Sequence, residues 1–181
     1  MDLETTGLDP RRDEIISFAS VPIEDGRVIA GGARGAIVQP ARMPQAETIR
    51  IHGLRPADLA NAPGLSEVLD VVLEALAGRV LVAHVAWVER GFLAAAIKPS
   101  GLRLAEPVLD TSVLARHALG LGQGEPLSLP DAARGLGLPV HRPHVAEGDA
   151  LTAAQLFLAV CAHLDRREPQ TIGSLGRLSR G

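Results

Sequence analysis

Apolar and polar positions follow two different periods along this chain, and the first part has the pattern of β-strands. The segment EIISFASVPI (14–23) is rich in Ile, Phe and Val, which is typical of a strand, and Asp25-Gly26 just beyond it is a strong hairpin-turn signal. The segment RVIAGGARGAIVQP (27–40) predicts one or two more strands that end at Pro40. The opening part of the chain is therefore predicted to be antiparallel.

From Leu65 the apolar residues recur at helical spacing, through Val68, Val72 and Leu76, and Gly78 is a suitable stop for that helix. The remaining pattern predicts short strands at 79–84 and 107–110, and helices at 88–97, 111–119, 129–137 and 146–167. A hairpin-rich start followed by alternating helices and short strands indicates an α/β domain with a mixed sheet.

Length and composition indicate one globular domain. The chain has 181 residues, of which 46% are hydrophobic and 22% charged, enough to bury a core. We predict a domain over residues 1–167 and, where the sequence turns to Pro, Gly, Ser and Arg, a flexible tail over 168–181. The net charge of -3 argues against a large basic surface that grips duplex phosphates.

The expected compartment is the cytoplasm. A single cysteine, Cys161, excludes a disulfide within the chain and fits a reducing environment. The apolar stretches are too short to span a membrane, and the N-terminus lacks the basic and apolar regions of a signal peptide. We expect no membrane partner.

The first ten residues, MDLETTGLDP, place two carboxylates two positions apart. On a strand, Asp2 and Glu4 would point to the same face, where they repel each other unless a cation or solvent intervenes. Mg²⁺ prefers such oxygen ligands, although the pair is also compatible with a solvated chain terminus. His144 and Asp149 lie together at the start of the longest predicted helix, where the Asp also suits the helix dipole and the His also suits a solvated loop.

Several segments, in order, resemble the DnaQ-like (DEDDh) 3′–5′ exonucleases, the family of the proofreading epsilon subunit of bacterial DNA polymerase III. The segment DLETTGL resembles the family's first motif, LVAHVAWVERGFL the second and HVAEGDALTAAQLFL the third. Between them, IRIHGLRPADLANAP resembles the family's His-Gly segment, and VLDTSVLARHAL resembles the strand and helix after the second motif. The resemblance spans about residues 1 to 165.

The resemblance implies a ribonuclease H-like fold, a mixed sheet with three antiparallel opening strands and flanking helices. It also implies two Mg²⁺ or Mn²⁺ ions held by four carboxylates, with His144 as the general base that activates water. The metal ligands carried over are Asp2, Glu4, Glu89 and Asp149, and the substrate-side residues are Thr5, Leu8 and His52. His52 is equally compatible with a structural loop histidine. Because the chain contains no tyrosine, the sister subfamily with a tyrosine in the role of the base is excluded.

The second motif departs from the family pattern. Glu89 stands where the family has Asp, and Val85 stands where it has Asn. Glu keeps the charge but adds one methylene, and metal sites are sensitive to ligand placement at roughly the half-ångström level. Two interpretations follow: Glu89 binds a metal from a slightly withdrawn helix, or the site is loosened and the domain binds nucleic acid without cutting it.

The start of the chain departs as well. In the resembled fold, apolar residues run into the first motif along a central strand, whereas here Met1 directly precedes Asp2. We therefore expect this sequence to lack most of that strand. We also expect an α-amino group beside the site to compete for its carboxylates.

These observations predict a metal-dependent 3′–5′ exonuclease that acts on single-stranded DNA or RNA 3′ ends and releases nucleoside monophosphates. The alternative is a nucleic-acid-binding or polymerase-associated module with a degenerate site. A polymerase or another protein is a further candidate partner.

Overall fold

The computed structural model describes residues 1–122 and 124–180, and its first strands pair antiparallel as predicted. The strands are β1 (Asp2–Thr5), β2 (Ile15–Ser20), β3 (Ile23–Glu24), β4 (Arg27–Val28), β5 (Arg34–Ile37), β6 (Val82–Ala83) and β7 (Leu109–Asp110). One sheet has the order β1-β2-β5, and β3 and β4 form a hairpin. Between them, Asp25 and Gly26 have φ values of 48° and 70°, the left-handed conformation that a tight hairpin turn requires. The predicted hairpin is therefore confirmed.

The parallel pair β6–β7 adjoins the antiparallel sheet through the first residue of the chain. Val82 pairs with Leu109 and Ala83 with Asp110. The α-amino group of Met1 donates a hydrogen bond of 2.8 Å to the carbonyl of Val82. This contact places the start of β1 beside β6, so the two sheets lie edge to edge.

The helices agree with the predicted periodicity from residue 65 to the end of the long helix. They are α1 (Ala46–His52), α2 (Pro56–Leu59), α3 (Leu65–Leu76), α4 (Trp87–Ile97), α5 (Thr111–Leu119), α6 (Leu129–Gly135), α7 (Ala146–Asp165) and α8 (Ile172–Leu178). Periodicity predicted α3 to α7 but neither α1 nor α2, which are too short, at seven and four residues, to show a helical repeat.

Helices cover both sides of β2, whose six residues are all buried. One apolar cluster joins β1 and β2 to α3 and α4, with Phe18 and Leu93 fully buried in it. On the other side, Ala19 packs against Ala146 and Ala150 of α7. Small residues at this contact allow α7 to lie close to the strand, so β1 and the start of α7 are brought to one place.

The C-terminal segment is not the flexible tail that its composition predicted. Residues 172–178 form α8, and Leu175, which is 5% exposed, belongs to the core cluster shared by α5, α6 and α7. Gly176 lies so close to Pro107 that a Cβ there would be 2.7 Å from the Cβ of Pro107. The prediction was wrong because tertiary packing of one leucine and one glycine orders a segment that has little helix propensity of its own.

A groove of about 660 Å³ opens beyond Met1, between the end of β2 and the segment leading into β6. Its walls include Val21, Val80, Val82 and Phe157. The described residues contain no helix with the length and apolar character needed to cross a bilayer.

Candidate active site

Three carboxylates meet where β1 passes the first turn of α7. Alternation along β1 buries Leu3 and Thr5 and turns Asp2 and Glu4 to the opposite face, as predicted. Asp149 reaches the same place from α7, and one oxygen of each of the three carboxylates lies within 4.8 Å of the other two. The structure therefore assembles three of the four ligands that the resemblance implies.

Burial raises the pKa values of these carboxyl groups, because a desolvated carboxylate loses its hydration. The pKa of Asp2 is well above its usual range, through burial first and then the charges of Glu89 and Glu4. Burial, followed by the charge of Asp149, raises the pKa of Glu4 to about 7. The pKa of Asp149 is also raised by burial, against the hydrogen bond from the His144 amide. When ionised, three carboxylates this close together repel one another. A bound divalent cation would offset that repulsion, so the arrangement fits a metal site.

Glu89 lies in the first turn of α4 and is 4% exposed, but it does not belong to that group of three. Its Oε2 is buried and has no hydrogen-bond partner among residues 1–122 and 124–180. Burial raises its pKa to about 8. A buried carboxylate oxygen without a partner is costly unless a ligand completes it, and the charge of Glu89 acts on Asp2, so Glu89 also fits a metal ligand at this site.

The α-amino group of Met1 lies among these charges, as expected, but its hydrogen bond goes elsewhere. Burial lowers its pKa, while the charges of Asp2 and Glu89 oppose that shift. Its hydrogen bond goes to the carbonyl of Val82. The α-amino group therefore joins the start of β1 to β6 by a hydrogen bond and also lies near the charges of Asp2 and Glu89.

His144 is exposed and adjoins Asp149 through the backbone. Its φ is 61°, and its amide donates a hydrogen bond of 2.8 Å to Oδ2 of Asp149. The preceding loop lies directly on α7, where a Cβ on Gly148 would be 2.3 Å from the carbonyl oxygen of His141. Only glycine fits this contact, which brings the loop and therefore His144 to the start of α7.

The three residues expected on the substrate side occupy different environments. Thr5 is buried, and its hydroxyl donates to the carbonyl of Gly7 at 2.6 Å. Leu8 is 65% exposed at the start of the next loop. His52 is 6% exposed, its Nδ1 accepts from the amide of Leu54, and its buried Nε2 is unpartnered in the part of the chain that the structure describes.

Sequence reasoning missed two features that shape the site. Asp110, the N-cap of α5, also accepts hydrogen bonds from the amides of Val85 and Ala86, immediately before α4. Val85 itself has a φ of 59°, a conformation that is rare for a β-branched residue. The Asp-Thr-Ser sequence at 110–112 is an N-cap signal that could have singled out Asp110, whereas nothing local indicates its contact with Val85.

The chain also matches known proteins over most of its length. The model of the exonuclease family (RNase_T) matches residues 1–157. The DNA polymerase III subunit epsilon of Treponema pallidum is 32% identical over 164 residues, which covers 90% of this chain and 75% of that protein. The chain belongs to the exonuclease family.

A second relative is much longer than this exonuclease-family chain. The DNA polymerase III subunit epsilon-like protein of Rhodobacter capsulatus is 35% identical over 187 residues, covering 99% of this chain but 27% of the relative. The chain therefore spans about a quarter of that protein's length.

Solved structures share the fold. Exonuclease X, in complex with 5′ overhanging duplex DNA, has a TM-score of 0.76 and 22% identity, covering 98% of this chain and 96% of the other. Exonuclease I of E. coli, in complex with a dT13 oligonucleotide, has a TM-score of 0.75 and 17% identity, with coverage of 92% and 41%. The predicted ribonuclease H-like fold is thus confirmed.

Proposed function

We propose that this domain is a metal-dependent 3′–5′ exonuclease that hydrolyses phosphodiester bonds at single-stranded 3′ ends and releases nucleoside monophosphates. The observation that carries the proposal is the meeting of Asp2, Glu4 and Asp149 within 4.8 Å, on a fold shared with exonucleases. Oxygen donors in this number suit Mg²⁺ or Mn²⁺. Two such ions, when bound, would stabilise the charge that develops on the attacking and leaving oxygens.

The chain's own groups have distinct tasks in this proposal. Asp2, Glu4 and Asp149 hold the cations from one side, and Glu89 supplies its unpartnered Oε2 from the other. The exposed imidazole of His144 takes the proton from the attacking water. Asp149 has a second task, because its Oδ2 accepts from the His144 amide and so keeps the base beside the ligands.

The terminal nucleotide would lie against residues next to the carboxylates. Leu8 offers an exposed apolar side chain, and Trp87, 55% exposed at the start of α4, offers an aromatic face for a base. Nδ1 of His52 accepts a hydrogen bond from the amide of Leu54, so neutral His52 carries its proton on Nε2. The Nε2 proton has no partner among the described residues and is a donor that the substrate could use. We also propose a polymerase as a protein partner, because two relatives are named as an epsilon subunit of DNA polymerase III and an epsilon-like protein.

The position of Glu89 outside the group of three carboxylates that lie within 4.8 Å of one another favours a second candidate, a nucleic-acid-binding module with a weak or inactive site. Both candidates predict binding to a 3′ end. They differ in whether the bound strand is shortened.

One experiment separates the two candidates. The protein is incubated with 5′-labelled single-stranded DNA or RNA in Mg²⁺, Mn²⁺ or EDTA, beside His144→Ala and the control His117→Ala, which alters an exposed histidine on α5. We expect a metal-dependent ladder that shortens from the 3′ end, is lost in His144→Ala and persists in His117→Ala. Binding without shortening in either metal would leave only the second candidate.

A further inference from the structure

Asp110 connects two helices that are remote in sequence. As the N-cap of α5, its Oδ1 accepts from the amide and hydroxyl of Ser112 at 2.8 and 2.7 Å. The same carboxylate accepts from the amide of Val85 at 3.1 Å and, through Oδ2, from the amide of Ala86 at 2.8 Å. One side chain therefore fixes the start of α5 and the turn that leads into α4.

The turn that Asp110 holds is strained. At a φ of 59°, the branched side chain of Val85 crowds its own backbone, and such conformations cost on the order of 1–3 kcal/mol and persist only where neighbours enforce them. The N-cap of α4, Ala86, has no side chain able to cap the helix. The Asp110 carboxylate supplies the acceptors that the local sequence lacks, because the amides of Val85 and Ala86 donate two charge-assisted hydrogen bonds to it.

This turn determines where Glu89 lies. The amides of Val88 and Arg90 donate to the carbonyls of Val85 and Ala86, so the strained turn continues directly into the helix. Glu89 is located between those two donors, in the first turn. A rotation of the turn would move the Glu89 carboxylate, which no hydrogen bond to Oε2 restrains in the described part of the chain.

The C-terminal helix supports Asp110 from behind. The hydroxyl of Ser179, at the end of α8, accepts a hydrogen bond of 3.1 Å from the amide of Asp110. Leu175 anchors α8 in the core, and Gly176 packs on Pro107 just before β7. The family match ends at residue 157, so this support comes from a segment outside it.

We propose that Asp110 is a positioning residue that sets the start of α4 and thereby places Glu89 for metal binding, with α8 as its support. The proposal rests on the proposed function for the role of Glu89, but the placement of α4 is a property of the metal-free protein. Residues of this kind, which orient ligands without touching the metal, typically change metal affinity 10–100-fold when replaced.

The test compares Asp110→Asn with Ser128→Ala, a matched control that removes the side-chain cap of α6 and leaves α4 untouched. Ser128→Ala loses a helix cap, whereas Asp110→Asn keeps one acceptor oxygen but replaces the other with an amide donor, and we expect both variants to lower the thermal midpoint. Amide hydrogen exchange is measured at Val85 to Glu89 without metal, and Mn²⁺ affinity is measured by calorimetry. We expect Asp110→Asn alone to speed exchange at these amides at least about tenfold and to weaken Mn²⁺ binding about 10–100-fold.

A rescue variant separates positioning from general destabilisation. Asn tolerates a positive φ better than Val, so adding Val85→Asn to Asp110→Asn should recover part of the lost Mn²⁺ affinity. Ser179→Ala should weaken binding by a smaller factor, about two- to fivefold, because it removes only one supporting hydrogen bond.

Two results would overturn the proposal. One is unchanged exchange at Val85 to Glu89 in Asp110→Asn, which counts whether or not the protein proves to be a nuclease. The other is an equal loss of Mn²⁺ affinity in Ser128→Ala. If the unmodified chain binds no Mn²⁺ and shortens no strand, the proposed function fails, and the exchange data alone then decide whether Asp110 positions α4.

Discussion

The candidate site has two walls, one formed by β1 and α7 and the other formed by α4. Both walls carry carboxylates, but the two sets of carboxylates are held in place differently. On the first wall, Asp2, Glu4 and Asp149 converge because a strand pleat and a close contact between α7 and β2 bring them together. On the second, Glu89 depends on a strained turn and on Asp110, which lies twenty-one positions further along the chain. Regular secondary structure thus places three of the proposed ligands, whereas we propose that a single distant side chain places the fourth.

The largest expected effect comes from the first wall. Glu4→Gln keeps the shape of the side chain but removes one of three converging charges. Metal stabilisation is worth several kcal/mol, and each 1.4 kcal/mol is a factor of about ten, so exonuclease activity should fall about 10³-fold or more. In EDTA at pH 8 the variant should be more stable than the parent, because a desolvated carboxylate is gone. Asp70→Asn, on the exposed side of α3, is the control and should change neither quantity.

Changes on the second wall should have smaller effects. Because Glu89 lies outside the group of three, we expect Glu89→Gln to reduce activity about 10²-fold and Glu89→Asp about tenfold, since Asp shortens its reach. Single-turnover rates at several Mn²⁺ concentrations would measure both. A Glu89→Asp variant faster than the parent would show that α4 already lies close enough for the shorter residue, and the distinction between the walls would fail.

The raised pKa values of the buried carboxyl groups also predict that stability depends on pH in an unusual way when no metal is bound. The pKa of Glu89 is raised from 4.5 to about 8, so between these values the folded state holds a proton that the unfolded state has released. The free energy of unfolding should therefore fall as pH rises from about 5 to 8, by up to about 1.4 kcal/mol per pH unit for each such carboxyl. Urea unfolding in EDTA at several pH values would measure the slope. Glu89→Gln should flatten it, and a slope identical to that of the parent would contradict the assignment.

The smallest expected effect is a change in stability when β1 is lengthened. This strand, which carries Asp2 and Glu4 of the first wall, has only four residues. Adding about five residues of alternating apolar pattern before Met1 should extend β1 and fill the groove beside Val21 and Val82. We expect an increase in unfolding free energy of about 1–2 kcal/mol from the buried apolar area. A Gly-Ser extension of equal length is the control, and equal stability of the two extended proteins would contradict this prediction.

The periodic elements were predictable because their information is local. The buried strand around Phe18 and the helix from Leu65 to Leu76 follow from apolar spacing, and the hairpin follows from Asp25-Gly26. Helix α8 was missed because its Gly, Ser and Arg residues indicate no structure until Leu175 reaches the core. The order of motifs likewise led to the predicted site residues, but their spacing could not show that Asp2, Glu4 and Asp149 meet within 4.8 Å while Glu89 lies outside that group.

Local sequence patterns were enough to predict the fold class, the strand face shared by Asp2 and Glu4, and the position of Asp149 at the start of a long helix, since each depends on neighbours a few residues away. Tertiary structure alone decided the burial that raises the pKa values, the strained turn at Val85 and its attachment to Asp110. Those properties arise from desolvation and from hydrogen bonds between distant segments, which exist only after the chain has folded.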